Sequence, residues 1–444
     1  MNTKRMLLPL LLASTWFVLL ETTCFAEEAR VWTSSQGGRQ FTGVLIGVEG
    51  ESISIRRASD NAVFQVNRTD LVPEDWEWIV QRTAKPGPEE SAEDLSELIA
   101  DLPASTGTPA VGVILIEDGK TRGIGVAGVR KSGSDVPVER GDKWHLGSCT
   151  KSMTATLAAT FVEDGTLTWE TTVSDILGKE MKIREEYETV TLGMLLANRS
   201  GITGERPEGI YQGIDIESQA TELGDRELLE QRGDYVETVL NLEPSSAPNT
   251  RYEYSNAGFV VAGAMLEQVA GKPWEKLLQE RVFEPLGMVN SGFGNAAHED
   301  TSHPTQPWPH KDNATPCEPG PWDDNPWVIG PAGTVHGSLG DIARYLIMHA
   351  TRETGPVIEK TEIFEFLHTA VPDNNNYARG WIVARAGWTG GPAVSHNGSN
   401  TMNHCSFWVA PDRKAAVAAF TNSDEKGSEV CRMAIRLVVE KYLE

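Results

Sequence analysis

The hydrophobic pattern changes twice after residue 92, and this alternation restricts the folds that the chain can adopt. "PAVGVILIEDGK" and "RGIGVAGVR" have the apolar runs of a strand hairpin. The centre is helical instead, as in "NAGFVVAGAMLEQVAG", which ends at the helix-stopping Gly271. Strand patterns return in "AVSHNGS", "HCSFWVAP" and "AAVAAFTN", and the helix "EVCRMAIRLVVEKYL" follows them. The pattern predicts an α+β fold, in which early and late segments share one antiparallel sheet around an inserted helical subdomain.

Residues 1–26 have the pattern of a secretory signal peptide. Lys4 and Arg5 precede the apolar run "MLLPLLLASTWFVLL", and the small residues of "CFA" predict cleavage after Ala26. The alternative is a retained membrane anchor. No later stretch is long and apolar enough to span a bilayer. We therefore expect a bacterial protein that is exported to the periplasm or the medium, without an integral membrane span once the signal is removed.

Residues 27–82 predict a separate small β-unit, because short alternating runs such as "ARVWTS" and "ESISIRRAS" are separated by turn residues. The unit resembles the Sla-homology modules, small SH3-like barrels fused to many exported bacterial proteins. It contains no cluster of His, Cys or paired carboxylates, so we expect it to pack or to bind a cell-envelope partner. Residues 83–91 are rich in Pro, Glu and small residues and predict a linker, which leaves residues 92–444 as the second domain.

Charge and cysteine content narrow the classes of partner. The net charge of −24 argues against nucleic acid and anionic membranes, because both require a basic face on the protein. Four cysteines follow the predicted signal peptide, too few for a disulfide framework in 444 residues. We expect buried free thiols, and a single bridge in an oxidising compartment stays open. These four are Cys149, Cys317, Cys405 and Cys431.

The segment "WHLGSCTKSM" places Ser148 three residues before Lys151 at the start of a helix. Residues three apart share a helix face, so the lysine can accept the proton of the serine hydroxyl if burial lowers its pKa. A helix N-terminus also favours a developing negative oxygen. By itself, the pair is a weak signal and is more typical of a helix cap beside a solvated lysine.

Two further polar groups lie far along the chain. "YEYSNAGFVVAG" places Tyr254 and Asn256 just before a helix, where a tyrosine can relay a proton and an asparagine can contact a substrate amide. "VSHNGSN" places His396 and Gly398 in a strand, and the N–H of Ser399 is a potential oxyanion donor. Taken singly, these residues also fit a packed ring, a helix cap and a strand position.

The order S-x-x-K, Y-x-N, H-x-G resembles the penicillin-recognising serine hydrolases of the class C β-lactamase type. "LLANRSGI", "VFEPLGM", "AGTVHGSLGDIARY", "YARGW" and "VAPDRKAAVAAFTN" extend the resemblance over residues 92–444. It implies the β-lactamase/transpeptidase-like fold. It also implies an acyl-enzyme formed with an amide, peptide or ester, since that family includes D-alanyl-D-alanine carboxypeptidases, D-aminopeptidases and esterases.

The resemblance implies a role for each residue of the first two motifs. Ser148 is expected to be the acylated nucleophile and Lys151 the adjacent base or proton shuttle. Tyr254 is expected to share the proton transfer. Asn256 either contacts the substrate or helps to hold Lys151.

The third motif is expected to bind substrate, with His396 and Gly398 along the substrate edge and the Ser399 amide in the oxyanion hole with that of Ser148. The best-known β-lactamases have a lysine where this chain has His396. A neutral histidine receives substrate carboxylates less well, so we do not expect efficient β-lactam hydrolysis. The H-x-G form is typical of esterase- and peptidase-like relatives.

Other interpretations stay open at this point. A non-hydrolytic ligand-binding or penicillin-sensing protein could use the same fold. His145, His336 and Cys149 adjoin the motifs, and we interpret them as structural. Substrate specificity is expected in the loops at 201–249 and 295–327. Neither a metal nor another cofactor is expected, because no compact ligand spacing joins His298, His303, His310 and Cys317.

Overall fold

The computed structural model describes residues 30–72, 75, 79, 92–204, 223–297 and 303–444, except for positions 36, 50, 51, 61, 313, 319, 321 and 322. The predicted signal peptide (1–26) and linker (83–91) lie outside the described residues. The chain divides into two compact units, Met1–Ala84 and Lys85–Glu444. Among the described residues, no helix combines the length and the apolar character needed to cross a membrane.

The first unit contains an antiparallel sheet of four strands in chain order. Its core forms around the buried Trp32, whose indole N–H donates to the carbonyl of Gly43 at 2.9 Å. The four predicted strands are confirmed, and the sheet fits a small β-module; its SH3-like character stays a prediction. The stretch "LVPEDWEWIV" at the end of the unit predicts a short helical turn, and it falls mostly outside the described residues. The strands are β1 (Arg30–Thr33), β2 (Gln40–Glu49), β3 (Ser52–Arg57) and β4 (Val63–Asn67).

The second unit alternates strands and helices along the chain. Its strands are β5 (Glu93–Asp94), β6 (Ala110–Glu117), β7 (Lys120–Gly128), β8 (Lys143–His145), β9 (Gly292–Phe293), β10 (His310–Lys311), β11 (Thr315–Pro316), β12 (Val335–Ser338), β13 (Ile382–Ala384), β14 (Ala393–Ser399), β15 (His404–Ala410) and β16 (Ala415–Thr421). Its α-helices are α1 (Ser96–Ile99), α2 (Leu102–Thr106), α3 (Thr150–Glu163), α4 (Val173–Leu177), α5 (Glu185–Glu188), α6 (Leu192–Leu196), α7 (Asp225–Asn241), α8 (Asn256–Ala270), α9 (Trp274–Leu278), α10 (Glu284–Leu286), α11 (Gly330–Gly333), α12 (Leu339–Thr351), α13 (Thr361–His368) and α14 (Gly427–Tyr442).

A seven-stranded sheet in the order β13-β14-β15-β16-β6-β7-β5 forms the frame of this unit. The early strand β6 pairs antiparallel with the late strand β16, as the pattern at the two ends of the sequence predicted. The sheet differs from the predicted all-antiparallel one at its edge, where β5 pairs parallel with β7. That strand has only two residues, too few to give an alternation in the sequence.

Both faces of the sheet are buried, because side chains alternate along each strand and helices cover each side. Along β6, Val111 and Val113 join a core that includes Val430 of α14. Ile114 and Ile116 join the larger core on the other face, which also contains residues of α3 and α12. A strand covered on both faces is continuously apolar, which explains the unbroken run in "AVGVILI".

Residues 129–381 separate the early strands from the late ones and contain most helices of the unit. This insertion is the predicted helical subdomain, and it also holds a three-stranded sheet in the order β8-β12-β9. The segment 298–327 has little periodicity and is rich in Pro, Trp, Asp and His, a pattern that predicts a loop or an extended crossover. It includes the short β10–β11 ladder. Within it, residues 298–302 and four single positions lie outside the described residues.

Candidate active site

Ser148 lies in a 3-10 turn, Gly147–Cys149, that runs directly into α3. We call this the nucleophile turn. The end of β14 packs against it so closely that side chains are excluded at two positions. A Cβ on Gly398 would lie 1.9 Å from the carbonyl oxygen of Leu146, and one on Gly147 would lie 2.4 Å from the amide nitrogen of Ser399. The two glycines therefore place the Ser399 backbone beside that of Ser148, while contact of Gly398 with a ligand stays a prediction.

Lys151 lies one turn further along the same face of the helix and is 0% exposed. Its Nζ is 3.1 Å from Oγ of Ser148, 2.7 Å from Oδ1 of Asn256 and 2.7 Å from the carbonyl oxygen of Ala332. Burial lowers the pKa of Lys151 to about 7, with the Cys149 thiol acting in the opposite direction. A neutral amine has two N–H bonds and one lone pair. The two carbonyl oxygens can accept those N–H bonds, which leaves the lone pair for the serine hydroxyl.

Asn256 reaches the site because α8 begins with it. The helix is capped by Ser255, whose hydroxyl accepts from the amide of Gly258 at 3.1 Å, and it ends at the left-handed Gly271, as predicted. Of the two roles left open for Asn256, the contact with Lys151 is present in the structure. The Ala332 carbonyl was not predicted, because a backbone acceptor requires no particular side chain.

Tyr254 lies on the other side of Lys151, with Nζ 4.8 Å from the centre of its ring. The residue is 36% exposed, so part of it reaches the surface. Burial on the site side raises the pKa of the Tyr254 hydroxyl above its ordinary value, and a hydrogen bond with Ser148 partly opposes this shift. Tyr254 is consequently a neutral phenol near pH 7, which can donate or relay a proton but does not act as a phenolate base.

His396 is close to Tyr254, with 6.4 Å between the ring centres, but it is only 3% exposed. Its Nδ1 lies 2.7 Å from the carbonyl of Asn397, so we assign the proton to Nδ1. The other nitrogen, Nε2, then accepts from the hydroxyl of Tyr377 at 3.2 Å. Burial lowers the pKa of His396 to about 3, and the charge of Lys151 acts in the same direction. The hydrogen bond to Asn397 opposes this shift. The ring is therefore neutral and held in place.

Tyr377 is a site residue for which the sequence predicted no role. It is 1% exposed, and it lies in "YARGW", which only the resemblance had marked. No spacing in the sequence joins it to His396, because their contact depends on how the chain folds between the two positions. A residue of this kind can be found only through family resemblance or through the structure.

The last residues of β14, up to Ser399, pair with β15 on one side but not with β13 on the other. Strand β13 pairs with β14 at residues 393–395, whereas β15 pairs with it as far as Ser399. Residues 396–399 thus present an edge without a β13 partner next to the nucleophile turn. The first amides of a helix have no intrahelical acceptor, so the amide of Ser148 is suited to donate to an oxyanion. The pairing of this amide with that of Ser399 stays a prediction.

The residues interpreted as structural are engaged in the fold. Nδ1 of His145 accepts from the amide of Gly147 at 3.0 Å, and Nδ1 of His336 lies 2.9 Å from the carbonyl of Gly294. Cys149 is buried, as predicted, and its thiol points to the carbonyl of His396. The cysteines that follow the predicted signal peptide are all free thiols.

His310, one of the residues considered as metal ligands, is engaged in the fold. His310 lies between the amide of Ser132 at 3.0 Å and the carbonyl of Asn422 at 2.9 Å, so both of its ring nitrogens are used. His298 lies outside the described residues. Across the described part of the chain, no group of three or more His, Cys, Asp or Glu side chains could hold a metal ion.

Two solved structures resemble this fold. A class C β-lactamase has a TM-score of 0.62 and 17% identity, and the match covers 78% of this chain and 95% of that one. A D-stereospecific amidohydrolase from Streptomyces has a TM-score of 0.58 and 20% identity, with 76% of this chain and 96% of that one covered. At these identities the likeness establishes the fold.

Curated relatives agree with this assignment. Penicillin-binding protein 4 of Amycolatopsis lactamdurans is 25% identical over 334 residues, which cover 71% of this chain and 81% of that protein. The chain spans only 35% of the length of an unguisins hydrolase from Aspergillus campestris, to which it is 26% identical over 204 residues. Since the family model described as Beta-lactamase matches residues 95–440, the chain belongs to the Beta-lactamase family.

Proposed function

We propose that this protein is an exported serine hydrolase that is acylated on Ser148 by an ester or amide and is then deacylated by water. One observation carries the proposal. The buried Nζ of Lys151 lies 3.1 Å from Oγ of Ser148, and burial lowers its pKa to about 7. A lysine in that state can take the serine proton near neutral pH, as a general base must.

The acylation step follows from the contacts of the site. Oγ of Ser148 attacks the acyl carbon while its proton passes to the lone pair of Lys151. The carbonyl oxygen becomes an oxyanion between the amides of Ser148 and Ser399. When the bond to the leaving group breaks, the proton returns through the hydroxyl of Tyr254 to the departing amine or alkoxide. Water then attacks the acyl-enzyme in the same way and regenerates Ser148.

Among its described residues, the site has no positive charge to bind a substrate carboxylate, so its electrostatics favour substrates without one. His396 occupies the position where a lysine would provide a positive charge, and its pKa of about 3 keeps it neutral. Lys151 must itself be neutral to act as a base. We therefore propose simple esters and neutral amides or peptides, rather than β-lactams, as the preferred class. The amidohydrolase and penicillin-binding relatives support an acyl group from an amide or peptide.

A covalent probe tests the nucleophile. A fluorophosphonate should label the mature protein at Ser148, identified by peptide mass spectrometry, and Ser148→Ala should abolish the labelling. Ser105→Ala is the matched control, since that hydroxyl contacts only the Leu102 carbonyl in α2, and labelling should persist. Undiminished labelling of Ser148→Ala would disprove the assignment.

Turnover separates the hydrolase from the alternative of a ligand-binding or penicillin-sensing protein. Steady release of p-nitrophenol from a p-nitrophenyl ester supports a hydrolase, and a burst that ends after one equivalent supports the alternative. A parallel comparison with D-amino-acid anilides and a chromogenic cephalosporin tests the substrate class. If the cephalosporin is hydrolysed faster than every ester and anilide tested, the proposed preference for esters and neutral amides is wrong.

Export and a cell-envelope partner belong to the same proposal. They are supported by the signal-type pattern of residues 1–26 and by the separate β-sheet of the first unit. Fractionation of the producing cells should place the mature protein outside the cytoplasm. Deletion of residues 27–82 should change its distribution between envelope and medium, and an unchanged distribution would remove the idea of a partner at this unit.

A further inference from the structure

Asp324 is a buried carboxylate that contacts both sides of the predicted oxyanion hole. Its side chain is 2% exposed. Oδ1 lies 2.8 Å from Nε2 of His145 on one side and accepts from Nδ2 of Asn400 at 2.8 Å on the other. His145 precedes the nucleophile turn, and Asn400 follows Ser399 in the chain. One oxygen atom thus joins the two segments that provide the two amides.

The contact through His145 reaches the backbone of the nucleophile turn. Nδ1 of His145 accepts from the amide of Gly147 at 3.0 Å, and the imidazole side chain is 4% exposed. Because Nδ1 is the acceptor, the proton of the neutral ring is on Nε2, the nitrogen that faces Asp324. The carboxylate lies within ion-pair distance of that nitrogen, and its negative charge favours the tautomer that carries the proton there. Asp324 therefore supports the form of the ring that holds the amide of Gly147, next to that of Ser148.

The contact through Asn400 reaches the end of β14. Oδ1 of Asn400 accepts from the amides of Met402 at 3.2 Å and Asn403 at 2.9 Å, so this side chain organises the turn that follows the strand. Its amide group donates to Asp324. The Asp324 carboxylate thus contacts both the turn after Ser399, through Asn400, and the segment before the nucleophile turn, through His145.

The neighbouring residue extends this attachment to the base. Nδ2 of Asn325 donates to the carbonyl of Gly333 at 2.8 Å, and the preceding carbonyl, that of Ala332, accepts from Lys151. Asp324 and Asn325 together thus contact the segment before the nucleophile turn, the turn after Ser399 and the backbone next to Ala332.

We propose that Asp324 is a positioning residue that keeps the amides of Ser148 and Ser399 directed at one oxyanion. This inference rests on the proposed function of Ser148. Oxyanion donors act only when they lie close to the position of the developing charge. A displacement of about 1 Å in such a site reduces the rate by about 100-fold. Loss of the carboxylate should consequently reduce kcat while leaving KM nearly unchanged, since the interaction is strongest in the transition state.

Asp324→Asn tests this with Asp323→Asn as the matched control. Asp323 is the adjacent buried carboxylate, but it accepts from Asn295 and from the amide of Gly320 instead of contacting the nucleophile turn. With a p-nitrophenyl ester, kcat of Asp324→Asn should fall about 10- to 100-fold with KM within about threefold of wild type. Asp323→Asn should keep kcat within about threefold, whatever it does to thermal stability. A kcat for Asp324→Asn within threefold of wild type, or an equal loss in both variants, overturns the proposal.

Asn400→Asp is a second variant that tests the same contact while Asp324 stays in place. It keeps Oδ1 as the acceptor for the turn amides and replaces the donor to Asp324 with a carboxylate oxygen. The same loss of kcat at nearly constant KM is expected, and an unchanged kcat in this variant overturns the proposal even if Asp324→Asn does not fold. Fluorophosphonate labelling of the wild type is measured first. If Ser148 is not labelled, the proposed function fails and this inference with it; if it is labelled and the variants behave as wild type, only this inference fails.

Discussion

Two buried cations in the second unit show how different surroundings lead to opposite chemistry. Lys151 and Arg232 are both 0% exposed. Arg232 on α7 contacts the carboxylates of Glu267 and Glu275 on the neighbouring helices α8 and α9. Among the described residues, Nζ of Lys151 has a hydroxyl, an amide oxygen and a backbone carbonyl as hydrogen-bond partners, none of which is charged. Both cations have hydrogen-bond partners, but only the arginine has a countercharge.

The difference appears in the two pKa values. Burial favours the neutral form of both cations, but Glu267 and Glu275 more than offset this effect and keep the pKa of Arg232 above its ordinary value. At Lys151 only the Cys149 thiol acts against burial, and the pKa falls to about 7. Burial with carboxylates thus gives a permanent structural cation, and burial with neutral acceptors gives a base.

The largest effect is expected from Lys151→Met, which removes the base and keeps most of the side-chain volume. We expect kcat/KM for a p-nitrophenyl ester to fall by about 100- to 10,000-fold, the usual contribution of general base catalysis. Lys272→Met is the control, since this exposed lysine pairs with Glu280. Its activity should equal that of wild type. A Lys151→Met enzyme that keeps more than about a tenth of the activity would show that another group takes the proton.

Arg232→Met should affect stability instead of chemistry. It leaves two carboxylates buried without a cation, so the free energy of unfolding should fall by about 3–5 kcal/mol. Urea denaturation measures this loss, and kcat of the folded fraction should stay at the wild-type value. Adding Glu267→Gln and Glu275→Gln to the variant should recover most of the stability. A stable single variant with reduced kcat would instead place Arg232 in catalysis.

Asn256→Asp tests the comparison by giving Lys151 the countercharge that it lacks. A carboxylate where Oδ1 of Asn256 now lies, 2.7 Å from Nζ, should raise the pKa of Lys151 by about one to three units. At pH 7 the ester rate should fall about 10- to 100-fold and recover as the pH rises. Asn256→Ala removes the contact without adding a charge and serves as the control. Equal pH profiles for the two variants would contradict the electrostatic explanation.

The smallest effect concerns the dependence of stability on pH. The pKa of Lys151 is lower in the folded state than in the unfolded chain, so between these values the unfolded state binds more protons. Stability of the wild type relative to Lys151→Met should therefore increase with pH above about 7, by about 1 kcal/mol per pH unit. Urea denaturation at three pH values measures the slope. The stability difference between wild type and Lys272→Met should not change with pH in this way. If the difference between wild type and Lys151→Met also stays constant with pH, Lys151 is charged when buried.

Much of this could be predicted from the sequence because periodic patterns report burial directly. The unbroken apolar runs in "AVGVILI" and "AAVAAFT" predicted strands, and the Gly271 stop predicted the end of α8. The three polar motifs could be recognised because each depends on side chains a few residues apart. For Ser148 and Lys151, the spacing alone determines their contact once the helix forms.

The remaining site residues could not be predicted, because they act through long-range or backbone contacts. The Ala332 carbonyl holds Lys151 without any requirement on its side chain, and Tyr377 meets His396 only after the chain folds. Gly398 was predicted to keep a substrate edge clear. That role stays a prediction, and the structure adds a second reason for the glycine: the nucleophile turn occupies the space that a side chain would need, a constraint that no local pattern expresses.

The pH dependence of Ser148 acylation tests the central claim most directly. If the neutral amine of Lys151 accepts the serine proton, the rate of fluorophosphonate labelling should rise about tenfold per pH unit below an apparent pKa near 7 and level off above it. Asn256→Asp should move that midpoint upward, and Lys151→Met should remove it. A wild-type labelling rate that is flat, or that falls, as the pH rises through about 7 would contradict the assignment of Lys151 as the base.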